Sequence, residues 1–212
     1  MEKIKGLSFI ENLITLDEEK KLLSSINLNL WDNSIKRRVQ HYGIKFNYKT
    51  RKADQNINNK FPDWIEDILQ KLKDITLLSN FNPNQCTINE YPPGIGIAPH
   101  IDTHSSFTDT IVSLSLQNQV IMNLKNKTTD ENNIDILLLP RSLLILQQEA
   151  RYCYSHGIRY KKTDNINHEI QYRKKRVSIT FRETRSSKCN CKWPKLCDSQ
   201  YGILEPTRLS NN

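Results

Sequence analysis

The stretch Ala98–His104 reads APHIDTH and places three possible metal ligands, His100, Asp102 and His104, at every second position. Alternate residues of a β-strand share a face, so in a strand all three side chains would point the same way. A strand rises about 3.3 Å per residue, which separates His100 from His104 by about 13 Å. One ion can therefore bind His100 and Asp102 together, and it reaches both histidines only if the chain turns between them.

A third ligand for an ion on His100 and Asp102 is His156, in the sequence SHGI. Two histidines and one carboxylate on one face of an octahedral ion leave three positions open, as in the non-haem Fe(II) oxygenases. A keto acid can occupy two of these positions and dioxygen the third. H-x-D is common by chance, however, and a zinc hydrolase can also use two histidines and an aspartate. The iron interpretation is favoured over the others only if the sequence also contains residues that could bind a keto acid.

Two further stretches could bind a keto acid beside such a metal. RVSITFR carries Arg176 and Arg182 on one face of an alternating strand, and paired guanidinium groups suit a dicarboxylate. The strand between them is longer than a small dicarboxylate, so both side chains would have to lean inward. INEY adds the amide of Asn89 and the phenol of Tyr91 on one strand face. Taken alone, the two arginines could instead form surface salt bridges.

A second group of metal-ligand residues lies near the C-terminus, in CNCKWPKLC. Its thiols, Cys189, Cys191 and Cys197, together with the leftover His104 make three sulfur donors and one imidazole, a common tetrahedral zinc set. Soft thiolates favour zinc, whereas the harder nitrogen and oxygen set favours iron. The donor set of this second group therefore suits zinc. The alternative is a set of free thiols on a flexible segment.

Composition limits the class of protein. The chain has 212 residues, enough for one domain with a substantial core, and a formal net charge of +8. It has no apolar run near the roughly 20 residues that span a bilayer, and its N-terminus lacks the apolar region of a signal peptide. We expect a monomeric cytoplasmic protein, with a nuclear fraction as an alternative. The charge suits a polyanionic partner such as nucleic acid, although a bias toward Lys, Asn and Ile could also produce it.

Two helices followed by many short strands are predicted to position these residues. Thr15-Leu-Asp-Glu18 is a capping-box pattern that begins a helix reaching about Ser25, with Leu16, Leu22, Leu23 and Ile26 inward. A second helix begins at Pro62, and its apolar stripe is Ile65, Ile68, Leu69, Leu72 and Ile75. The β-like runs are QCTINEY, IVSLSLQ, QVIMNLK, IDILLLP, SLLILQ, ARYCYS and RVSITFRE. This order predicts an α+β, mostly β domain, a sandwich or jelly roll with helices on one sheet.

The ordered combination N-x-Y, H-x-D, H and R-x5-R resembles the AlkB-type iron(II)- and 2-oxoglutarate-dependent dioxygenases. The similarity is stronger to the wobble-uridine hydroxylases of tRNA within that family, and it covers roughly residues 6–200. The stretches that carry it are KRRVQHYG, YPPGIGIAPHIDTHSSF, TIVSLSLQ, LPRSLLIL, EARYCYSHGI and CNCKWPKLCDSQ. The resemblance implies a double-stranded β-helix core, or jelly roll. We expect one AlkB-like domain over residues 1–200, with a zinc-binding segment at 186–200, and a flexible tail at 201–212.

The resemblance also implies a role for each candidate residue. Fe(II) would be bound by His100, Asp102 and His156. 2-Oxoglutarate would be bound by Asn89, Tyr91, Arg176 and Arg182, with Arg176 on the distal carboxylate and Arg182 nearer the metal. Structural zinc would be held by His104, Cys189, Cys191 and Cys197.

The activity that the resemblance implies is the O2- and 2-oxoglutarate-dependent hydroxylation of a modified base, with 5-methoxycarbonylmethyluridine at the tRNA wobble position as the leading substrate. A separate tRNA methyltransferase would then prepare that substrate. An oxidative demethylase of N-methylated bases is the alternative enzyme, and a basic RNA-binding protein with a vestigial fold is the non-enzyme alternative. Cationic and aromatic side chains that could bind the phosphates and bases of an anticodon loop are Arg37, Arg38, His41 and Tyr42. A second basic cluster comprises Lys161, Lys162, Arg173, Lys174 and Lys175. Either cluster could instead be a solvated charged surface.

Overall fold

The structure is a computed structural model that describes residues 4–47, 52–54, 60–129 and 133–200, and the side chains of 45–47 and 52–54 are not described. The predicted tail at 201–212 lies outside the described residues. The three helices are α1 (Leu16–Asn27), α2 (Asp63–Lys73) and α3 (Gln148–Tyr152). The strands are β1 (Leu7–Ile10), β2 (Val39–Gly43), β3 (Lys45–Asn47), β4 (Lys52–Asp54), β5 (Gln85–Tyr91), β6 (Ile97–His100), β7 (Phe107–Leu116), β8 (Val120–Asn126), β9 (Ile134–Leu138), β10 (Leu143–Leu146), β11 (Tyr154–Ile158), β12 (Thr163–Ile166), β13 (Glu169–Tyr172) and β14 (Arg176–Thr184).

The strands form two main antiparallel sheets and two hairpins. The larger sheet has the order β1-β10-β7-β14-β5-β2, and the smaller has the order β6-β11-β8-β9. The hairpins are β3-β4 and β12-β13. Both main sheets contribute side chains to one cavity, so they enclose it between them. The predicted mostly β, jelly-roll architecture is confirmed.

The helices α1 and α2 cover one face of the larger sheet, as predicted. Thr15 and Glu18 form the expected capping box, in which the Glu18 backbone N–H donates to Thr15 Oγ1 (3.2 Å) and the Thr15 N–H donates to Glu18 Oε2 (2.7 Å). Leu22 and Ile26 are buried, but Leu16 is 56% exposed and its predicted inward position is wrong. Leu22 is six positions after Leu16, which turns Leu16 about 120° away from Leu22 around the helix axis.

Helix α2 presents the predicted stripe to the same core, and its apolar members Ile65, Ile68, Leu69 and Leu72 are buried. Ile75 follows the helix and packs partly buried against that core. Pro62 caps the helix with an extended backbone instead of occupying its first turn. The difference is one residue, and the fixed φ of proline suits either position.

The larger sheet has two chemically different faces because its side chains alternate. On β14, Val177, Ile179 and Phe181 pack into the core beneath the helices. The intervening residues Arg176, Ser178, Thr180 and Arg182 line the cavity between the sheets. The sheet therefore joins an apolar face, which stabilises the fold, to a polar face, which can bind a ligand.

The run ARYCYS, predicted as a strand, is instead divided between α3 and the start of β11. The Arg151 N–H donates to Gln147 O (3.1 Å) and the Cys153 N–H donates to Glu149 O (2.7 Å), as in a helical turn. Short apolar runs do not distinguish helix from strand by periodicity. The turn also buries Arg151, whose contacts are described below. No helix in the described part of the chain is long and apolar enough to cross a bilayer.

Candidate active site

Three of the predicted ligands meet at one end of the cavity. His100 and His156 are direct partners across the β6–β11 ladder, and their ring centroids lie 4.4 Å apart. Asp102 follows β6 by two residues, and one ligand atom from each of the three side chains lies within 4.8 Å of the others. The structure therefore brings His100, Asp102 and His156 into one triad.

The carboxylate of Asp102 is held on one side and open on the other. The Arg182 Nε–H donates to Asp102 Oδ1 (2.8 Å), whereas Oδ2 is buried without a hydrogen-bond partner. Burial by itself raises the pKa of Asp102, but Arg182, His156 and His100 together hold the pKa well below its ordinary value. Asp102 is therefore ionised at neutral pH. A buried charged oxygen without a partner is costly, and a bound cation would satisfy it.

The two imidazoles are suited to ligate a metal. Burial lowers the pKa of His156 to about 3, with His100 acting in the same direction and Asp102 opposing it. His156 is therefore neutral at pH 7, and its 3.7 Å separation from Asp102 Oδ2 is not an ion pair. His100 Nδ1 lies 2.9 Å from the Ala98 carbonyl oxygen, which is the acceptor that fixes a tautomer with Nε2 available. Two imidazoles and one carboxylate with an unpartnered oxygen fit Fe(II).

The predicted oxoglutarate arginines lie at opposite ends of the cavity wall formed by β14. Arg182 contacts Asp102 at the triad end, and its Nη1–H also donates to Gln85 Oε1 (3.2 Å). Arg176 is buried, its Nη2–H donates to Ser115 Oγ (2.7 Å), and its Nε has no hydrogen-bond partner. The order of the two arginines along the cavity is the one that the family resemblance implies.

Asn89 and Tyr91 line the same cavity from β5, which pairs with β14. The Arg176 guanidinium lies 5.2 Å from the centroid of the Tyr91 ring. Asn89 Oδ1 accepts a hydrogen bond from Arg37 Nε (2.9 Å), so its amide nitrogen is left to donate elsewhere. Two neutral donors and two arginines thus surround a space beside the triad, and a dicarboxylate would match this set.

Sequence reasoning missed Arg151, which supports the loop carrying Asp102. Its side chain is fully buried and donates to the Asp102 carbonyl oxygen from Nη1 (2.6 Å) and to the Thr103 carbonyl oxygen from Nη2 (3.2 Å). Its Nε donates to the Thr108 carbonyl oxygen (3.3 Å). The arginine stands directly before the run Tyr152–Tyr154, which resembles a buried strand, and that position was the signal that could have identified it.

The polar residues of the cavity wall were also overlooked, although their signal was clear. The alternation that predicts strands in IVSLSLQ and RVSITFRE also assigns every hydroxyl residue of each run to one face. These residues are Ser113, Ser115, Ser178 and Thr180, and all but Ser115 line the cavity directly.

A second group of metal-ligand residues lies behind the triad. Ligand atoms of His104, Cys191 and Cys197 lie within 4.8 Å of one another, and His104 Nδ1 is 3.6 Å from Cys191 Sγ. Cys189, the fourth predicted ligand, is buried and its thiol interacts with the Cys191 and Cys197 thiols, but its sulfur is not among the three atoms that meet this distance. His104 follows β6 in a turn, so the chain does turn after His100 and the two histidines serve different groups. Burial lowers the pKa of His104 to about 4, which leaves a neutral imidazole.

The four predicted nucleic-acid residues are divided by strand β2, which sequence reasoning did not identify. His41 pairs with Thr87 in the ladder, and its Nδ1 lies 3.2 Å from Thr87 Oγ1. Tyr42, the next residue, lies on the opposite face, where it packs against the core and meets the Trp64 ring edge-on (5.4 Å). The structure therefore places Tyr42 on the helix side of the sheet, away from the cavity.

The two arginines of this stretch also differ. Arg38 forms a bidentate pair with the buried carboxylate of Glu90 (2.7 and 2.9 Å) and stacks over Trp31. Arg37 instead contacts Asn89, and its guanidinium lies 5.7 Å from the centroid of the Tyr91 ring. Of the two, Arg37 is the cation that lies against the cavity wall.

Comparisons with known proteins agree with this geometry. A family model described as the 2OG-Fe(II) oxygenase superfamily matches residues 31–182. The chain is 40% identical over 222 residues to the Alkylated DNA repair protein ALKBH8 homolog of Arabidopsis thaliana, covering 93% of this chain and 63% of that protein. It is 37% identical over 227 residues to the tRNA (carboxymethyluridine(34)-5-O)-methyltransferase ALKBH8 of Macaca fascicularis, covering 95% of this chain and 34% of that protein. The chain thus spans less than two-thirds of the length of these relatives.

Two other comparisons bear on substrate and fold. A Caenorhabditis elegans protein named DNA N6-methyl adenine demethylase is 30% identical over 187 residues, covering 85% of this chain and 60% of that protein. A solved structure of OsALKBH1 matches with a TM-score of 0.66 at 16% identity, covering 86% of this chain and 99% of that one, which shows a shared fold. From the family match and the ALKBH8 relatives together, the chain belongs to the 2OG-Fe(II) oxygenase superfamily, as an AlkB-type 2-oxoglutarate-dependent dioxygenase.

Proposed function

We propose that this dioxygenase hydroxylates a modified base of nucleic acid, and that its substrate is 5-methoxycarbonylmethyluridine at the wobble position of tRNA. The ALKBH8 relatives support a tRNA substrate, since the name of the Macaca protein refers to a uridine at position 34. The observation on which the choice of base depends is the position of Arg37 against the cavity wall.

The triad would hold Fe(II) through His100, Asp102 and His156. The bound ion, with O2 and 2-oxoglutarate, supplies the oxidation that places a hydroxyl on a substrate carbon while the keto acid becomes succinate and carbon dioxide. Asp102 is already ionised and His156 already neutral at pH 7, so neither group has to change its protonation state to bind a metal. The protein positions the reactants, and we assign no general base.

Arg176 would bind the distal carboxylate of 2-oxoglutarate. Its Nε is a buried donor without a partner, and a carboxylate would accept from it. The Tyr91 phenol and the Asn89 amide would add neutral donors along the same dicarboxylate. Arg182 would fix the carboxylate of Asp102 and present its positive charge to the metal end of the keto acid.

Arg37 would select against positively charged substrates. Bases methylated on a pairing nitrogen, such as 1-methyladenine and 3-methylcytosine, carry a positive charge, and a nearby guanidinium repels them in a site of low dielectric constant. The side chain of 5-methoxycarbonylmethyluridine is neutral and ends in an ester, whose oxygens can accept from Arg37. This cation therefore supports a neutral, oxygen-rich substrate over a cationic one.

We also propose that His104, Cys189, Cys191 and Cys197 hold a structural zinc ion. Three thiols and one neutral imidazole match the tetrahedral donor set of such sites. His104 is two residues from Asp102, so a metal here would tie the C-terminal segment to the loop that carries a triad residue. The role would be structural, because protein ligands fill all four positions.

The proposed substrate carries a methyl ester, so a methyltransferase must act on the tRNA first. We propose that this protein works after such an enzyme, as a cytoplasmic monomer that binds the anticodon loop. Bases of that loop are unpaired, so one of them can enter the cavity without opening a duplex.

The C. elegans relative favours a second candidate function, the oxidative demethylation of an N-methylated base. Hydroxylation of an N-methyl carbon gives an unstable product that loses formaldehyde, whereas hydroxylation of the uridine side chain gives a stable alcohol. The two functions therefore differ in product and not in the first chemical event.

The test uses the full chain with Fe(II), 2-oxoglutarate and O2. It compares an anticodon stem–loop that carries 5-methoxycarbonylmethyluridine with oligonucleotides that carry 1-methyladenine or N6-methyladenine. We expect mass spectrometry of the nucleosides to show one added oxygen on the uridine, and no formaldehyde from the methylated oligonucleotides. Formaldehyde release with an unchanged uridine would replace the proposal with the demethylase. Arg37→Gln should allow formaldehyde release from 1-methyladenine but not from N6-methyladenine, because only the first base is cationic.

A further inference from the structure

The hairpin β12–β13 lies outside the two main sheets and joins two strands of the active site. It follows β11, which carries His156, and it precedes β14, which begins at Arg176. The hairpin and its two flanks, residues 159–175, are called the basic hairpin below. Its sequence is RYKKTDNINHEIQYRKK.

Buried polar contacts fix the inner face of the basic hairpin. Arg173 donates to both carboxylate oxygens of Asp164 (2.6 and 2.8 Å) and to the Arg159 carbonyl oxygen (2.7 Å). Asp164 and Arg173 are both buried. Gln171 accepts a hydrogen bond from Gln119 of the main body (2.6 Å). The hairpin is therefore held in a defined orientation on the protein.

The outer face presents large side chains to solvent. Thr163 pairs with Tyr172 and Asn165 pairs with Ile170, so these four residues share the face opposite Asp164. Tyr172 is 81% exposed and Ile170 is 73% exposed. Tyr160, at the start of the basic hairpin, is 63% exposed. An exposed tyrosine on a fixed strand offers a flat surface on which a base can stack.

The basic hairpin also concentrates the positive charge of the chain. It contains six Lys or Arg residues and two Asp or Glu residues, a net charge of +4, which is half of the +8 of the whole sequence. Asp164 neutralises part of this charge through Arg173 and Lys161. Arg159, Lys162 and Lys174 are exposed, and none of them has an ion pair among the described residues. A polyanion is the partner that this charge attracts.

The basic hairpin lies against the turn that joins two strands of the active site. Lys162 Cγ lies 3.5 Å from the position that a Cβ on Gly94 would occupy. Gly94 belongs to the turn that joins β5, which ends at Tyr91, to β6, which carries His100. Lys162 is therefore placed beside the segment that connects the strand ending at Tyr91 to the strand carrying His100.

We propose that the basic hairpin is an RNA-binding surface that contacts the anticodon arm of the tRNA whose wobble base is under reaction. Lys162 and Lys174 would contact phosphates, and Tyr172 would stack on an unpaired base. This inference rests on the proposed function for its substrate, but it concerns affinity for RNA and not the chemistry of the base.

The experiment measures the dissociation constant of the full, metal-loaded chain for a synthetic anticodon stem–loop with an unmodified wobble uridine, over a series of salt concentrations. The double variant Lys162→Glu with Lys174→Glu should weaken binding at least tenfold and reduce the salt dependence by about two phosphate contacts. Tyr172→Ala should weaken binding about tenfold at every salt concentration, because stacking is not an ionic interaction. Tyr172→Phe keeps the ring and should bind like the wild type.

The matched control reverses two exposed lysines on the helical layer, Lys21→Glu with Lys73→Glu, so the net charge changes equally. Thermal unfolding checks that all variants are folded, and Lys162→Gln with Lys174→Gln provides a milder pair for the same comparison. The proposed RNA-binding surface would be overturned if the control pair weakened binding as much as the hairpin variants do. It would also be overturned if the hairpin variants bound like the wild type, or if the wild type did not bind this RNA. Oxygen addition to the modified uridine by the wild type is measured separately, so failure of the surface and failure of the proposed function are distinguishable.

Discussion

The two groups of metal-ligand residues differ in how the backbone holds them. In the triad, His100 and His156 are partners in the β6–β11 ladder, and both strands are fixed within the smaller sheet. In the cysteine group, His104 lies in a turn and the thiols lie in the described segment 185–200, which contains one short 3-10 turn and no strand. The first group is positioned by sheet hydrogen bonds, and the second is positioned by side-chain packing.

This difference indicates what each metal would contribute. The triad is assembled by the fold, so an ion there would add chemistry to a site that already exists. The cysteine group depends on contacts such as the stacking of Trp193 on Tyr152 (5.2 Å) and the hydrogen bond from the Ser105 N–H to Asp198 Oδ1 (3.0 Å). A bound ion would there add stability to a segment that has little core of its own. Loss of the first metal should therefore remove activity, and loss of the second should first remove stability.

The substitution with the largest expected effect is Asp102→Ala. It removes the carboxylate from the triad and leaves two histidines, so iron-dependent turnover of 2-oxoglutarate should fall below detection. Succinate formation measures the turnover, and metal analysis measures the retained iron. Asp67→Ala removes an exposed carboxylate from α2 and should leave turnover unchanged. Turnover retained in Asp102→Ala would exclude this carboxylate as an iron ligand.

Cys191→Ser should break the second group. Because a thiolate site contributes several kcal/mol of binding energy to folding, the melting temperature should fall by about 10 °C. Zinc per chain, measured by elemental mass spectrometry, should be lost in the same variant. A zinc chelator should lower the melting temperature of the wild type and not that of Cys191→Ser. An equal chelator effect on both proteins would show that the cysteines do not hold the ion.

Arg151→Lys tests the residue that joins the two groups. The guanidinium donates to the backbone carbonyls of Asp102, Thr103 and Thr108, which lie before and after His104 in the chain, and a lysine keeps the charge but cannot reach all three. We expect a loss of about 2 kcal/mol in the free energy of unfolding, with iron and zinc affinity each reduced about tenfold. Chemical denaturation and metal competition measure these effects.

The control for this positioning role is Arg141→Lys, because Arg141 pairs with Glu19 of α1. It should leave both metal affinities unchanged. If Arg151→Lys weakened only stability, with iron and zinc retained as in the wild type, the residue would be structural and would not position either group.

The sequence allowed the elements and the ligand sets to be predicted, because both depend on local pattern. Alternation in RVSITFRE predicts the strand β14, whose cavity-facing residues include Arg176 and Arg182. The spacing of His100, Asp102 and His104 also indicated that one ion could reach both histidines only if the chain turned between them. The turn itself could not be predicted, because the side chains that stabilise it come from the distant Arg151 and Asp198.

Two errors came from missing the secondary structure around a residue. Tyr42 was grouped with His41, but in strand β2 neighbouring residues face opposite sides of the sheet. Arg151 was assigned to a strand, where its side chain would have had no defined partner. In both cases the sequence shows the residue type. It does not show the direction in which the backbone directs the side chain.

The smallest expected effect is that of Thr15→Ala, which sharpens the comparison because it disturbs neither metal group. Thr15 caps α1, and its hydroxyl accepts the hydrogen bond from the Glu18 N–H on the far side of the larger sheet from the cavity. Its loss should cost about 1 kcal/mol, or about 3 °C in melting temperature. Since α1 supports the apolar face of the sheet and touches neither metal group, turnover and zinc content should match the wild type. Thr15→Ser keeps a hydroxyl and should recover most of the stability. A fall in turnover larger than the fall in folded protein would mean that the helical layer, and not only the sheets, sets the geometry of the triad.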